Sequence, residues 1–124
     1  MVKLESLKKS DQFKKTLKEK KVHSEYFSIF AAKNFYKPKY KTNLLISFVM
    51  KKKIGNAVVR NKIKRKLKYA VQKISKEKRI IDLNYTYIIF GKNNVYKDKF
   101  VLVLNEVNEM FKKIKKLEAR NETN

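Results

Sequence analysis

The sequence predicts an α+β domain with its elements in the order α-β-β-α-β-α, and three stretches carry that prediction. Near the C-terminus, Phe100, Val103, Leu104, Val107, Met110, Phe111, Ile114 and Leu117 recur at the spacing of one helical face. Two short apolar runs, Leu44 to Met50 (LLISFVM) and Tyr85 to Gly91 (YTYIIFG), have the length and the β-branched and aromatic content of strands. Between them, Lys51 to Ile74 reads as a basic connection leading into a helix with two chemically opposite faces. A chain of 124 residues with 43% hydrophobic residues has the material for one core and not for two. We therefore expect a single domain over 1–124, with mobile ends at 1–9 and 119–124.

From the N-terminus, residues 1–9 are polar and basic. Ser10 or Asp11 offers a side-chain cap for a first helix running to about Lys20. Phe13, Thr16 and Leu17 fall at i, i+3 and i+4 of that helix, flanked by Lys14, Lys15 and Lys18. Tyr26 to Lys33 (YFSIFAAK) reads as a strand with blurred alternation. Residues 34–43 hold the one proline, Pro38, among lysines, which reads as a loop with room for a further short strand. Leu44 to Met50 follows, apolar on both faces as in a covered sheet. After a basic connection, Gly55 and Asn56 supply a turn and an N-cap for the second helix, which runs to about Lys76. Tyr85 to Gly91 is the third strand, Lys92 to Lys97 a loop, and the last helix spans about 97–119.

Charge dominates the composition. Thirty-three Lys and Arg against eleven Asp and Glu give a net +22. A compact domain so charged repels itself unless its usual partner is a polyanion. Nucleic acid is the first candidate, because neutralising phosphates releases counterions, and an anionic membrane surface is the second. No run approaches the roughly 18 consecutive apolar residues of a membrane span. MVKLESLKKSDQF lacks the apolar core of an export signal, and with no cysteine there is no disulfide framework or thiolate metal site. The simple reading is a cytoplasmic protein.

On the central helix, Val59, Ile63, Leu67, Ala70 and Ile74 occupy an arc of about 80°, the face that packs on a sheet. Asn61, Lys64, Arg65 and Lys68 fall opposite, with Arg60, Lys62 and Lys66 on the flanks. Soluble helices usually mix acids into such a face to form i,i+4 pairs, yet Lys51 to Ser75 contains no Asp or Glu. Other chemistry finds little support. His23 is the only histidine, Asp11, Glu19 and Glu25 are too sparse for a paired-carboxylate nuclease centre, and the two glycines are isolated.

Lys52-Lys53-Ile54-Gly55-Asn56-Ala57-Val58-Val59-Arg60-Asn61-Lys62-Ile63-Lys64-Arg65, with Lys68 a turn later, resembles the motif of the protein subunit of bacterial ribonuclease P. Leu7-Lys8-Lys9-Ser10-Asp11-Gln12-Phe13 is similar to that family's opening, and the resemblance covers about residues 7–116. Lys62 and Lys68 stand where arginine is common, Leu17 where a second aromatic is frequent, and Leu44 to Met50 is bulkier than the family's strand. The resemblance implies a two-layer α/β sandwich with a four-stranded sheet and a left-handed βαβ crossover, against the usual hand. It also implies a partner RNA that cleaves precursor tRNA with bound Mg²⁺ to leave the mature 5′ end, with no catalytic side chains in the protein. By resemblance, Lys52, Lys53, Asn56, Arg60, Asn61, Lys62, Lys64, Arg65 and Lys68 contact the catalytic RNA. Phe13 and Leu17, with Tyr26, Phe27 or Phe30 from the first strand, would hold the single-stranded 5′ leader. An ordinary core contact is the competing reading for Phe13, and the blurred alternation leaves open which way Tyr26, Phe27 and Phe30 face. A ribosomal or RNA-chaperone protein using the same basic helix, and a protein-only nuclease, are the alternatives to weigh.

Overall fold

The computed structural model describes residues 2–77 and 80–122. Its framework is one five-stranded sheet in the order β1-β4-β5-β3-β2, where β1 is Lys3–Glu5, β2 Lys20–His23, β3 Phe27–Lys33, β4 Asn43–Val49 and β5 Tyr85–Gly91. β2, β3 and β5 pair antiparallel, whereas β4 runs parallel to both β5 and β1. A parallel pair needs a crossover, and between β4 and β5 the chain supplies it with helix α2, Ala57–Glu77. Helix α1, Ser10–Leu17, precedes β2; a short α3, Asn93–Lys97, and the long α4, Phe100–Glu122, close the chain.

Strand alternation gives the sheet two unlike faces. On one, Phe27, Ile29 and Ala31 of β3, Leu44 and Ile46 of β4, and Tyr85, Tyr87 and Ile89 of β5 point into the main core. Ile63, Leu67, Ala70, Val71 and Ile74 of α2 and Val103, Val107, Met110, Phe111 and Ile114 of α4 meet them there. The Tyr87 and Phe111 rings touch edge to face at 5.0 Å. Burying each large aliphatic or aromatic side chain contributes about 1.5–3 kcal/mol, so this layer supplies most of the drive to fold.

The opposite face carries Ser28, Phe30 and Ala32, Leu45, Ser47 and Val49, and Thr86, Ile88 and Phe90. Here α1 packs on β2, β3 and β5. Gln12 and Thr16 are the α1 residues it buries, and the Thr16 hydroxyl satisfies itself on the Gln12 carbonyl at 2.8 Å. The approach to α1 is fixed by the Leu7 amide, which donates to Ser47 Oγ at 3.0 Å.

The structure departs from expectation in its strands, at the start of α1 and in the segment before the last helix. The sheet has five strands where the resemblance implied four. The additions are β1, inside the basic end expected to be mobile, and β2; residues 34–42 form no strand. β1 is held because the Glu5 carboxylate accepts from the Asn43 side chain at 2.8 Å and from the Lys39 amide at 3.0 Å. α1 starts after Lys9, a residue with no oxygen to serve as a side-chain cap, and the Asp11 carboxylate accepts from the Tyr36 hydroxyl. That hydrogen bond holds the Asp11 carboxyl below its ordinary pKa. The expected loop before the last helix contains α3, and α4 runs from Phe100 to Glu122. Met1 and residues 123–124 lie outside the described residues.

At Gly91 the side chains of α2 come close to the sheet backbone. A Cβ there would stand 2.8 Å from Ile63 Cγ2, 3.1 Å from Leu67 Cδ1 and 3.2 Å from Met50 Sδ. Gly91→Ala should therefore destabilise the fold by about 1–3 kcal/mol through overpacking. Denaturant unfolding measures this, and an unchanged midpoint would mean that α2 sits further from β5.

Candidate nucleic-acid interface

α2 begins where the sequence places it. Asn56 Oδ1 accepts from the Val59 amide at 3.0 Å, an N-cap that fixes the first turn. Before it, Lys52–Ile54 forms a single 3-10 turn that leaves Lys51, Lys52 and Lys53 exposed. Burial of Ile63, Leu67, Ala70, Val71 and Ile74 turns Asn61, Lys62 and Arg65 fully outward, with Arg60, Lys64, Lys66 and Lys68 half-buried along the flanks. Lys64 and Lys68 are thus less exposed than the helical wheel implies. Arg60 keeps a buried Nε with no hydrogen-bond partner.

The flank cations differ in what they do. The Lys66 ammonium donates to the carbonyls of Val95 at 2.9 Å, Tyr96 at 3.3 Å and Asp98 at 2.9 Å, so it fastens α3 to α2. Lys62 lies 5.7 Å from the centroid of the Tyr96 ring. Together Lys62, Arg65, Lys66, Tyr96 and Lys97 line a cavity of ≈ 670 Å³ in which no carboxylate appears.

A second basic cavity opens on the other face of the sheet. It measures ≈ 300 Å³ and is lined by Phe30, Phe90, Ser28 and His23, with Lys21, Lys51, Lys53 and Lys92 around them. The Phe30 and Phe90 rings meet edge to face at 5.6 Å, and the Lys21 ammonium stands 5.1 Å from the Phe30 centroid. His23 Nδ1 and Ser28 Oγ are 2.6 Å apart. Desolvation against the sheet, then the Lys21 and Lys92 charges, hold the His23 pKa below its ordinary value, which favours a neutral imidazole. Apolar rings edged by ammonium groups suit a strand with stackable bases and a charged backbone.

The structure sorts the expected leader residues. Phe30 lines this cavity. Phe13 and Leu17 lie half-buried on α1, outside the α2/α4 core. Phe27 does not belong with them: β3 points it the other way, and at 0% exposure it is a core residue. Tyr26 is also elsewhere, packed against the main core with its hydroxyl donating to the Asp98 carboxylate. Lys53, expected with the α2 surface, instead borders the Phe30 cavity with Lys51. Lys21, Phe90, Lys92, Tyr96 and Lys97 were not singled out from sequence. For Phe90 the signal was present, since it follows Thr86 and Ile88 at period two on one face of β5.

Comparison with known proteins follows this geometry. The family described as Ribonuclease P matches residues 1–115. A Ribonuclease P protein component from Carboxydothermus hydrogenoformans is 27% identical over 117 residues, covering 94% of this chain and 96% of that protein. One from Citrifermentans bemidjiense is 44% identical over 48 residues, 39% of this chain and 37% of that protein. The solved RNase P protein from Thermotoga maritima superposes with a TM-score of 0.68 at 23% identity, covering 88% of this chain and 96% of that one. A mutant RNase P protein from Staphylococcus aureus gives 0.70 at 23% identity, with 89% and 87% covered. At such identity the structural likeness speaks for the fold, a mixed α+β fold with a single sheet.

The Tyr26–Asp98 contact has a direct readout. The hydrogen bond to Asp98, with burial, pushes the Tyr26 pKa up to about 12. Because the folded value is raised, the stability it adds is full below the ordinary tyrosine pKa of about 10 and fades as pH rises through about 12. Titration of tyrosinate absorbance should show a step near pH 12 that Tyr26→Phe removes. Loss of a step at about pH 10 in Tyr26→Phe instead would return this hydroxyl to solvent.

Proposed function

Since the chain belongs to the ribonuclease P protein family, we propose that it is the protein subunit of a ribonucleoprotein endoribonuclease that matures tRNA 5′ ends. The observation that carries this reading is the placement of two basic surfaces on opposite faces of one sheet: an acid-free helix face and an aromatic cavity. Lys52, Asn56, Arg60, Asn61, Lys62, Lys64, Arg65 and Lys68 dock on the catalytic RNA. Arg65 and Arg60 grip phosphate as forks, and the lysines act as point charges. Across the sheet, Phe30 and Phe90 take unpaired bases of the 5′ leader, with Phe13 and Leu17 on α1 beside them and Lys21, Lys53 and Lys92 on its phosphates. Stacking of that kind makes little sequence demand. The β4–α2–β5 crossover takes the family's left-handed sense, and such partners place the protein in the cytoplasm.

Catalysis in this proposal belongs to the RNA, with Mg²⁺ held there. Among the described residues no three His, Asp or Glu side chains converge, and the Asp11 and Asp98 carboxylates are occupied by tyrosine hydroxyls. What the protein supplies is positive charge beside two polyanions, which lets them meet at lower Mg²⁺.

Reconstitution tests the reading as a whole. Added to ribonuclease P RNA and precursor tRNA at low Mg²⁺, the protein should restore 5′ cleavage; no stimulation, together with tight ribosomal RNA binding, would make it a different RNA-binding protein. Arg65→Ala should weaken binding to the catalytic RNA and lower the salt slope by about 1 while leaving the fold intact. Unaltered salt dependence would remove Arg65 from the contact. Phe30→Ala should cost precursor binding ~1–3 kcal/mol and spare mature tRNA, and equal losses for both would place Phe30 outside the leader path.

A further inference from the structure

Charge alone is enough to seat α2 on a polyanion, and an aromatic ring among those cations calls for its own explanation. Tyr96 is 39% exposed and shares its cavity with Lys62, Arg65, Lys66 and Lys97. Its backbone is held from three sides. Val95 beside it is fully buried, the Lys66 ammonium takes the carbonyls of Val95, Tyr96 and Asp98, and Asn94 Nδ2 donates to the Glu25 carbonyl at 3.2 Å. A ring presented on a pinned backbone has less freedom left to lose when something stacks on it. Asp98, one residue past Lys97, keeps its carboxylate on the Tyr26 hydroxyl and does not line the cavity.

We infer that this cavity holds one unpaired nucleotide of the catalytic RNA, its base stacked on Tyr96 and its flanking phosphates on Lys62, Arg65 and Lys97. The inference rests on the proposed docking of α2 on that RNA and adds a stacking contact to it. Three observations direct it. The volume of ≈ 670 Å³ is within the range of about 300–1,000 Å³ that small ligands occupy. The Lys62 ammonium, 5.7 Å from the ring centroid, is within reach of the backbone of a base lying there. Lys66 is already committed to carbonyls and is left out of the phosphate set. The nucleotide must be unpaired, since bases within an A-form helix keep their faces covered. It belongs to the catalytic RNA because the cavity opens on the helix side of the sheet, away from the Phe30 and Phe90 rings proposed for the leader.

Binding of Tyr96→Leu and Tyr96→Phe to the catalytic RNA across a salt series tests this, with photocrosslinking of 5-iodouridine-substituted RNA to the wild-type chain in parallel. The expected result is an affinity loss of about tenfold for Tyr96→Leu and less than about twofold for Tyr96→Phe. The slope of log K against log salt should stay unchanged, because no phosphate contact is removed. The crosslink should map to the tryptic peptide 93–97. Equal affinity of wild type and Tyr96→Leu, a slope change in that variant, or a crosslink confined to other peptides would overturn the inference and leave α2 docking in place. Failure of the wild type to bind this RNA would overturn both. If Tyr96→Leu melts early, Tyr96→Phe and the crosslink decide: a tenfold loss in Tyr96→Phe, or no adduct at 93–97, ends the proposal.

Discussion

The packing of α2 on the parallel pair β4 and β5 is the constraint from which the rest follows. Parallel neighbours cannot be joined by a hairpin, so α2 must cross over, and its apolar stripe of Ile63, Leu67, Ala70, Val71 and Ile74 must lie against the sheet. Gly91 lets it come close. Once that stripe is buried the helix has no rotational choice left, and the rest of its surface, without an acid before Glu77, faces outward. Stability and binding geometry are thereby set by the same contact. Weakening the core contact would also misdirect the cations.

The net charge of +22 makes sense in the same terms. Described ion pairs are sparse, and the exposed Lys112–Glu109 contact at 3.6 Å is of the kind that contributes little. The chain therefore carries a self-repulsion that a polyanion relieves. The sheet divides this charge between two surfaces, and the connection after β4 lies where they meet, with Lys52 and Asn56 leading into α2 and Lys51 and Lys53 on the edge of the Phe30 cavity. A partner held on one side would bring its own field close to the other.

Long, periodic elements were legible in the sequence. The α4 stripe and the two faces of α2 follow from spacing, because each helix buries one side. The bounds of β5 follow from a short aromatic and β-branched run buried on both faces. The misses were short or two-sided. β1 and β2, of three and four residues, carry lysines at the sheet's edges and are too brief for a period to show, and charged edge strands of this kind are common. β3 is covered by α2 and α4 on one face and by α1 on the other, so both parities of FSIFAAK are apolar, and Phe27 could not be told from Phe30. Tyr26 is fixed by Asp98, 72 residues away, a partner that local pattern does not reveal. Tyr96 was hidden for a related reason: its meaning comes from Lys62 and Arg65 on another helix.

The proposed function puts two RNAs on opposite faces of one sheet. The chain has no cysteine, so a single tethered Fe–EDTA can be placed at Val58→Cys, which is 62% exposed on the α2 side, or at Lys18→Cys at the end of α1. Hydroxyl-radical cleavage in the reconstituted complex then reports what lies near each face. The account predicts cuts in the catalytic RNA from position 58 and in the 5′ leader of precursor tRNA from position 18. Leader cuts from position 58, or the same pattern from both positions, would contradict it.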